Sequence, residues 1–382
     1  MIPRKIEPHI HDLFRHFPVL FVTGPRQSGK TTLVKTLFKQ LPYVLLEVPE
    51  TRRLALEDPR TFLANYPSGA ILDEVQNAPE LFSYLQGIVD DDRSTRFVLT
   101  GSQNFLLNER ISQSLAGRAG VCSLLPLSVT ELPQARLKAD EFIFKGFYPE
   151  LYSNHVPERL FYPSYIQTYL ERDVRSLKNI GDLAQFSLFL KLCAGRIGQV
   201  LNVSSLANDA GISVNTAKAW LSVLEASYLV YRLQPHYKNF NKRLIKSPKL
   251  YFTDTGLACN LLGIKTAGEI QGHFAMGQLF ENFVIMECYK QRLNKGIRNG
   301  LYYWKDNKGI EIDLLIENGT EMMAIEIKAG KTFSPDFFKN LRYWSGLSKA
   351  PAKNCVVIYG GNNQQMLPYG MLRSWSTMSD FF

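Results

Sequence analysis

No window of this 382-residue sequence offers the roughly 20 uncharged apolar residues that a membrane-spanning helix needs, so no membrane partner is expected. The opening segment MIPRKIEPHIHD lacks the apolar core of a secretion signal, and a cytoplasmic protein is expected. Cysteine is scarce. The five present (Cys122, Cys193, Cys259, Cys288 and Cys355) show no C-x-x-C spacing, which argues against a cysteine-built zinc site and fits a reducing compartment. Among the six histidines, His9 and His11 lie two apart and would not share a helix face, so surface or capping roles are expected rather than metal binding.

The remaining composition is that of a folded protein. Hydrophobic residues make up 45% and charged residues 21%, and the length suffices for two or three domains with their own cores. The formal net charge of +9 suggests a polyanionic partner, although its placement along the chain matters more than its sum.

Residues Gly24 to Thr31 read GPRQSGKT, a complete G-x-x-x-x-G-K-[ST] pattern. The apolar run Pro18 to Thr23 before it suits a buried parallel strand, and Thr32 to Phe38 after it carries apolar residues at helical spacing. In that context Gly24, Pro25, Arg26, Gln27, Ser28, Gly29, Lys30, Thr31 and Thr32 form a phosphate cradle. Its backbone N–H groups turn inward, and a helix N-terminus adds partial positive charge. Lys30 is expected to reach the β- and γ-phosphates of ATP and Thr31 to ligate Mg²⁺.

A second apolar strand, Gly69 to Leu72, ends in Asp73-Glu74. A carboxylate at the tip of a buried strand is costly unless a cation meets it; Asp73 is assigned to Mg²⁺ and Glu74 to the attacking water. Neighbouring strand residues point to opposite sides, so the two acids can take different tasks. A third strand, Arg96 to Thr100, runs into Gly101-Ser102-Gln103-Asn104, where Ser102 or Asn104 is placed to meet the γ-phosphate or the water. Arg118, after Ser114-Leu115-Ala116-Gly117, is a candidate to stabilise transition-state charge in its own subunit or a neighbour's.

The set GPRQSGKTTL, ILDEVQ, FVLTGSQNF and SLAGR closely resembles a group of bacterial and archaeal AAA-family ATPases whose members carry a C-terminal domain of unknown function. The resemblance implies ATP binding and hydrolysis on a RecA-like parallel sheet.

Pro157 to Lys178 reads as helical, with its charges on a solvated face. Further on, Ser204 to Ala210 reads as a short helix, Gly211 as a turn, and Ser213 as the cap of a helix from Val214 to Glu225. A strand follows at Tyr228 to Leu233. The order resembles a winged helix. Lys218 is the one basic side chain on the second helix, beside Asn215 and Thr216. The expected wing is richer, with Lys238, Lys242, Arg243, Lys246 and Lys249 interleaved with Tyr237 and Phe240. Such a run suits contact with a phosphate backbone.

A long amphipathic helix is expected from Ala275 to Gln291, then strands at 301–304, 310–316 and 323–328, with a hairpin turn at Glu317-Asn318-Gly319. Asp313 interrupts an apolar strand, while Glu326 and Lys328 share a face of the next. An Asp followed by E-x-K on an adjacent strand resembles the PD-(D/E)xK nuclease-like fold. That resemblance implies that Asp313 and Glu326 bind Mg²⁺ with help from Glu281, and that Lys328 polarises the water or the phosphate. The order Glu311-Ile312-Asp313 lacks the proline of that pattern. A second reading of the same residues is a buried ion pair between Lys328 and the acids. A helix with Arg342 and a last strand at 356–359 complete an αβββαβ order.

The expectation is an α/β protein of three parts. These are a P-loop core over 1–155, a helical and winged-helix region over 156–265, and a restriction-endonuclease-like α/β domain over 266–382. The leading function is an ATPase acting on nucleic acid. Its rivals are a metal-dependent nuclease regulated by ATP, and an ATP-driven switch with protein partners, either of them compatible with a homo-oligomer.

Overall fold

The computed structural model describes residues 2–102, 114–132, 137–170, 183–237 and 245–381. Five parallel strands form the first sheet: β1 (Val19–Thr23), β2 (Tyr43–Leu45), β3 (Ile71–Asp73), β4 (Phe97–Gly101) and β5 (Ala119–Ser123), in the order β2-β3-β4-β1-β5. β1 is buried at every position because helices cover both faces of the sheet. Its side chains alternate. Val19 and Phe21 pack with Leu81, Phe82, Leu85 and Val89 of helix Leu81–Asp91. Leu20 and Val22 pack with Leu33 and Val34 of helix Lys30–Leu37 and Ile10 of helix Glu7–His16. Strand β4 separates β1 from β3, so its tip lies between the two strands that carry the motifs.

In the middle of the chain the expected helix at 157–178 is an α-helix at Glu158–Tyr165 that loosens into a π-turn at Ile166–Leu170; its remainder lies outside the described residues. Helices Leu183–Ala194, Val203–Asp209 and Val214–Ala226 follow. Asn202 caps the second through the Ser205 N–H, Gly211 turns the chain at φ +65°, and Ser213 caps the third through the Thr216 N–H. These helices share a core in which Trp220 meets the ring edges of Phe186 and Phe189. An antiparallel pair, β6 (Val230–Leu233) and β7 (Lys249–Phe252), closes the unit, with a bridge from Val200 to Lys249.

The third part is a six-stranded sheet in the order β12-β13-β11-β10-β9-β8. Its strands are β8 (Leu301–Lys305), β9 (Glu311–Asn318), β10 (Glu321–Lys328), β11 (Cys355–Tyr359), β12 (Gln365–Leu367) and β13 (Gly370–Ser374). The β9–β10 hairpin turns at Gly319-Thr320, later than expected, because β9 runs on to Asn318. Strands β12 and β13 extend the expected αβββαβ order. Helix Met276–Asn294 covers one face of the sheet and helix Lys339–Ser348 the other. Helix Met276–Asn294 is buried nearly all round, since it also packs against the middle of the chain. β9 slips register against β8 between Tyr302 and Trp304, a bulge at Asp313-Leu314. Among the described residues, no helix is long and apolar enough to cross a membrane, and all five cysteines are buried and unpaired.

Candidate functional site

The phosphate loop leaves the C-terminal end of β1 under tight backbone constraint. A Cβ on Gly24, at φ +150°, would lie 2.1 Å from the Leu124 carbonyl oxygen, and Gly29 at φ +94° starts helix Lys30–Leu37. Gln27 is also left-handed, at φ +59°. Lys30 Nζ donates to the carbonyls of Gly24 at 3.0 Å and Pro25 at 2.8 Å, which folds the ammonium over the loop. Ser28 Oγ is buried without a partner among the described residues. That orphaned hydroxyl, the glycine-lined cradle and the ammonium fit a phosphate group.

Asp73 lies at the tip of β3. Its Oδ2 accepts from Thr31 Oγ1 at 2.8 Å and from the Tyr43 hydroxyl at 2.7 Å, and its Oδ1 accepts from Thr100. The carboxylate is 2% exposed and is met by three hydroxyls, so its direction is fixed. Burial and Asp73 together push the Tyr43 phenol well above its ordinary range, so it stays a donor. A Thr31 hydroxyl against an Asp73 carboxylate is the hard-oxygen pair that suits Mg²⁺. Glu74 turns the chain with φ +58°, an uncommon conformation for a glutamate. Its carboxylate accepts from Gln76 Nε2, and Gln76 lies 3.4 Å from Ser102 Oγ. Gln76 therefore joins two residues singled out from the sequence; Asn104 lies outside the described residues.

A cavity of about 750 Å³ opens over this loop, lined by Arg26, Gln27, Gly29, Lys30, Thr31, Thr32 and Glu74, with Ile2, Leu127, Pro149 and Asn154 from elsewhere in the chain. The loop forms one side of the cavity, and Ile2, Leu127 and Pro149 line the rest together with the polar Glu47, Glu150 and Asn154.

Two residues behind the loop had no motif to mark them. Arg4 is 7% exposed and donates to Ser28 O at 2.8 Å, Leu125 O at 2.7 Å and Glu131 Oε1 at 3.1 Å. Glu131 also accepts the N–H groups of Lys5 and Ser128. Only an isolated arginine near the N-terminus was legible in the sequence.

Arg118 does not join the site within its own chain. Its carbonyl accepts from the Val19 N–H, at the N-terminal end of β1, while the phosphate loop leaves the other end. Parallel strands put all their starts on one edge, so β1 alone separates the two by roughly 13 Å. Its guanidinium forks onto Asp90 at 2.6 and 2.7 Å. An arginine meeting the γ-phosphate is worth on the order of 10³-fold or more. Arg118→Ala in dilute protein is therefore expected to change phosphate release by less than about tenfold; a larger loss would place Arg118 at the nucleotide.

The acids of the third part divide differently from expectation. Oxygens of Glu281, Glu311 and Asp313 lie within 4.8 Å of one another. Glu326 instead accepts from Lys328 Nζ at 2.5 Å. Asp313 Oδ2 accepts the Ile327 N–H at 2.8 Å and lies 3.7 Å from Lys328 Nζ. Glu311 takes the place given to Glu326 in the triplet; its signal was the E-I-D alternation, which puts Glu311 and Asp313 on one face. Burial first, then the Asp313 charge, pushes the carboxyls of Glu281 and Glu326 above their ordinary range, against the pull of lysines.

Of the candidate nucleic-acid contacts, Lys218 and Lys246 are exposed, and Asn215 is exposed beside Lys218. Lys249 is buried (2% exposed) and turned into the protein. Lys238, Lys242 and Arg243 lie outside the described residues.

A parallel sheet with a GPRQSGKT loop and an Asp73–Thr31 contact defines a P-loop core, and an AAA domain model matches residues 16–133 of it. Two domains of unknown function, DUF8612 and DUF4143, match residues 136–268 and 276–375. An uncharacterized protein of Mycobacterium tuberculosis and one of Mycobacterium bovis are each 31% identical to the chain over 353 residues, covering 91% of it and 77% of their own length. The chain belongs to the family of these mycobacterial proteins. An uncharacterized protein of Haemophilus influenzae is 20% identical over 250 residues, 61% of this chain and 59% of its own. Among solved structures, a Walker-type ATPase of Pyrococcus abyssi is 14% identical, with a TM-score of 0.41 over 68% of this chain and 96% of that one.

Proposed function

We propose that the protein hydrolyses ATP at the loop 24–31 and couples turnover to a nucleic acid held by its middle part. The observation that carries the first half is the fixed Asp73 carboxylate, bonded to Thr31, Tyr43 and Thr100 and followed at once by Glu74. Thr31 and Asp73 are the residues that would hold Mg²⁺, which when bound offsets phosphate charge. Lys30 exchanges the carbonyls of Gly24 and Pro25 for phosphate oxygens. Glu74 accepts the proton of the attacking water, and Gln76 keeps that carboxylate in register with Ser102.

The second half rests on surface chemistry. Three helices followed by the β6–β7 pair support the winged-helix reading, with Asn215 and Lys218 exposed on the third helix and Lys246 at the hairpin. The order of strands β8 to β11 with its crossover helix supports a restriction-endonuclease-like scaffold in the third part. Buried, unpaired thiols fit a cytoplasmic setting.

Duplex DNA is expected to raise ATP turnover in the wild type. Lys218→Glu with Lys246→Glu should weaken DNA binding and reduce the salt slope by about 1 for each phosphate that is no longer neutralised. Turnover indifferent to DNA, with a salt slope unchanged by both reversals, would remove the nucleic-acid half and point to a protein partner.

A further inference from the structure

The triplet Glu281, Glu311 and Asp313 has the spacing of a divalent-ion site, but a side chain from another part of the fold already serves it. Lys249 of β7 places Nζ 2.9 Å from Glu281 Oε1 and ion-pairs with Glu311. Its side chain is 3% exposed. Tyr251, two residues along the same strand face, donates to the same Glu281 oxygen at 2.5 Å. Lys305 takes the other oxygen of Glu311 at 2.7 Å, and Lys328 faces Asp313 and Glu326. Four acids thus share three ammonium groups. A divalent ion here would press against a buried ammonium that has no water to retreat into. These donors do not fit Mg²⁺ in this arrangement.

We infer that Lys249 is the resident cation of this acidic centre, which makes it a metal-free joint fastening the β6–β7 hairpin to helix Met276–Asn294 and β9, rather than a metal-dependent cleavage site. The pairing is written into two strands: K-x-Y at Lys249 and Tyr251 presents one cation and one donor, and E-x-D at Glu311 and Asp313 presents two acceptors. The β9 bulge lies at Asp313, where it re-aims that carboxylate. The inference is independent of ATP hydrolysis.

The test is Mn²⁺ titration of the nucleotide-free full chain carrying Thr31→Ala, with bound ion counted by electron paramagnetic resonance. No ion whose binding depends on Asp313 is expected, so adding Asp313→Asn leaves the isotherm unchanged. Lys249→Met is expected to gain one bound Mn²⁺ per chain, which Asp313→Asn in the same chain removes. A Lys249-intact chain that binds Mn²⁺ and loses it with Asp313→Asn overturns the inference. So does a folded Lys249→Met chain that gains no such ion. Should Lys249→Met fail to fold, the comparison with Lys249 intact still decides.

Discussion

Replacing Glu74 with glutamine is expected to leave ATP binding near the wild-type level and to slow hydrolysis by on the order of 10²- to 10⁴-fold, the range a positioned general base supplies. The substitution keeps the size of the side chain and its hydrogen bond with Gln76, since an amide can turn to offer either atom. It also leaves the turn at φ +58° to be made by a residue of the same shape. What it removes is the ability to take a proton. Binding and chemistry are thereby separated, because phosphate is held by Lys30, Thr31 and the loop backbone, while the water is met by the Glu74 carboxylate beside Gln76. The measurement is single-turnover phosphate release alongside binding of a fluorescent ATP analogue. If binding collapses together with turnover, Glu74 holds the loop in shape and the base must be sought elsewhere. Lys30→Met is the contrasting case, in which binding itself should fail.

The parts of this site that sequence discloses are those where a local backbone or burial constraint leaves few alternatives. Gly24 is legible because no other residue fits beside the Leu124 carbonyl, and Asp73 because an acid ending a buried strand demands a cation. Tyr43 and Thr100 close the same carboxylate, but a tyrosine or threonine in a strand reads as packing, and nothing local separates the two cases. Arg4 was invisible for another reason: its partners Ser28, Leu125 and Glu131 lie 24, 121 and 127 residues away. Arg118, expected to act in its own subunit or a neighbour's, sits at the start of the parallel strands, away from the loop of its own chain, because the residues before β5 lie on the sheet edge opposite the phosphate loop. The third part shows a similar limit. Alternation identified the Glu326–Lys328 face of β10, but the face of β9 that carries Glu311 and Asp313 went unread, and its partner came from β7, some sixty residues earlier in the chain. The strands β12 and β13 were missed because β12 has only three residues and lies on the sheet edge, with too little burial to leave a pattern.

Lys290→Met is expected to lower stability by about 3–5 kcal/mol, the usual consequence of removing one partner from a buried set of charges. Lys290 is 3% exposed, and its ammonium donates to Leu127 O at 2.9 Å and lies 4.1 Å from the centre of the Phe147 ring. Glu287 and Asp254, at 2% and 1% exposure, are the acids whose charge it offsets, and burial pushes both carboxyls above their ordinary range. Methionine fills a similar volume without the charge, so the loss measured is electrostatic rather than a cavity. Glu287 Oε2 accepts the Val129 N–H while Glu131 Oε2 accepts that of Ser128, so two acids from distant helical segments cap one turn. Glu131 in turn holds Arg4, which holds the Ser28 carbonyl in the phosphate loop. The buried charges therefore run from the back of the nucleotide site to helix Met276–Asn294, the helix that also carries Glu281. Adding Glu287→Gln to Lys290→Met should recover part of the loss, because it removes an acid that the lysine no longer offsets. The recovery is read as the coupling in a double-mutant cycle by denaturant unfolding, where contacting residues typically show about 0.5–3 kcal/mol. A Lys290→Met chain within about 1 kcal/mol of wild type would mean that the donors from Phe147, Leu257 and Tyr162 to Asp254, and from Val129 and Gln291 to Glu287, suffice to hold the two acids without the lysine.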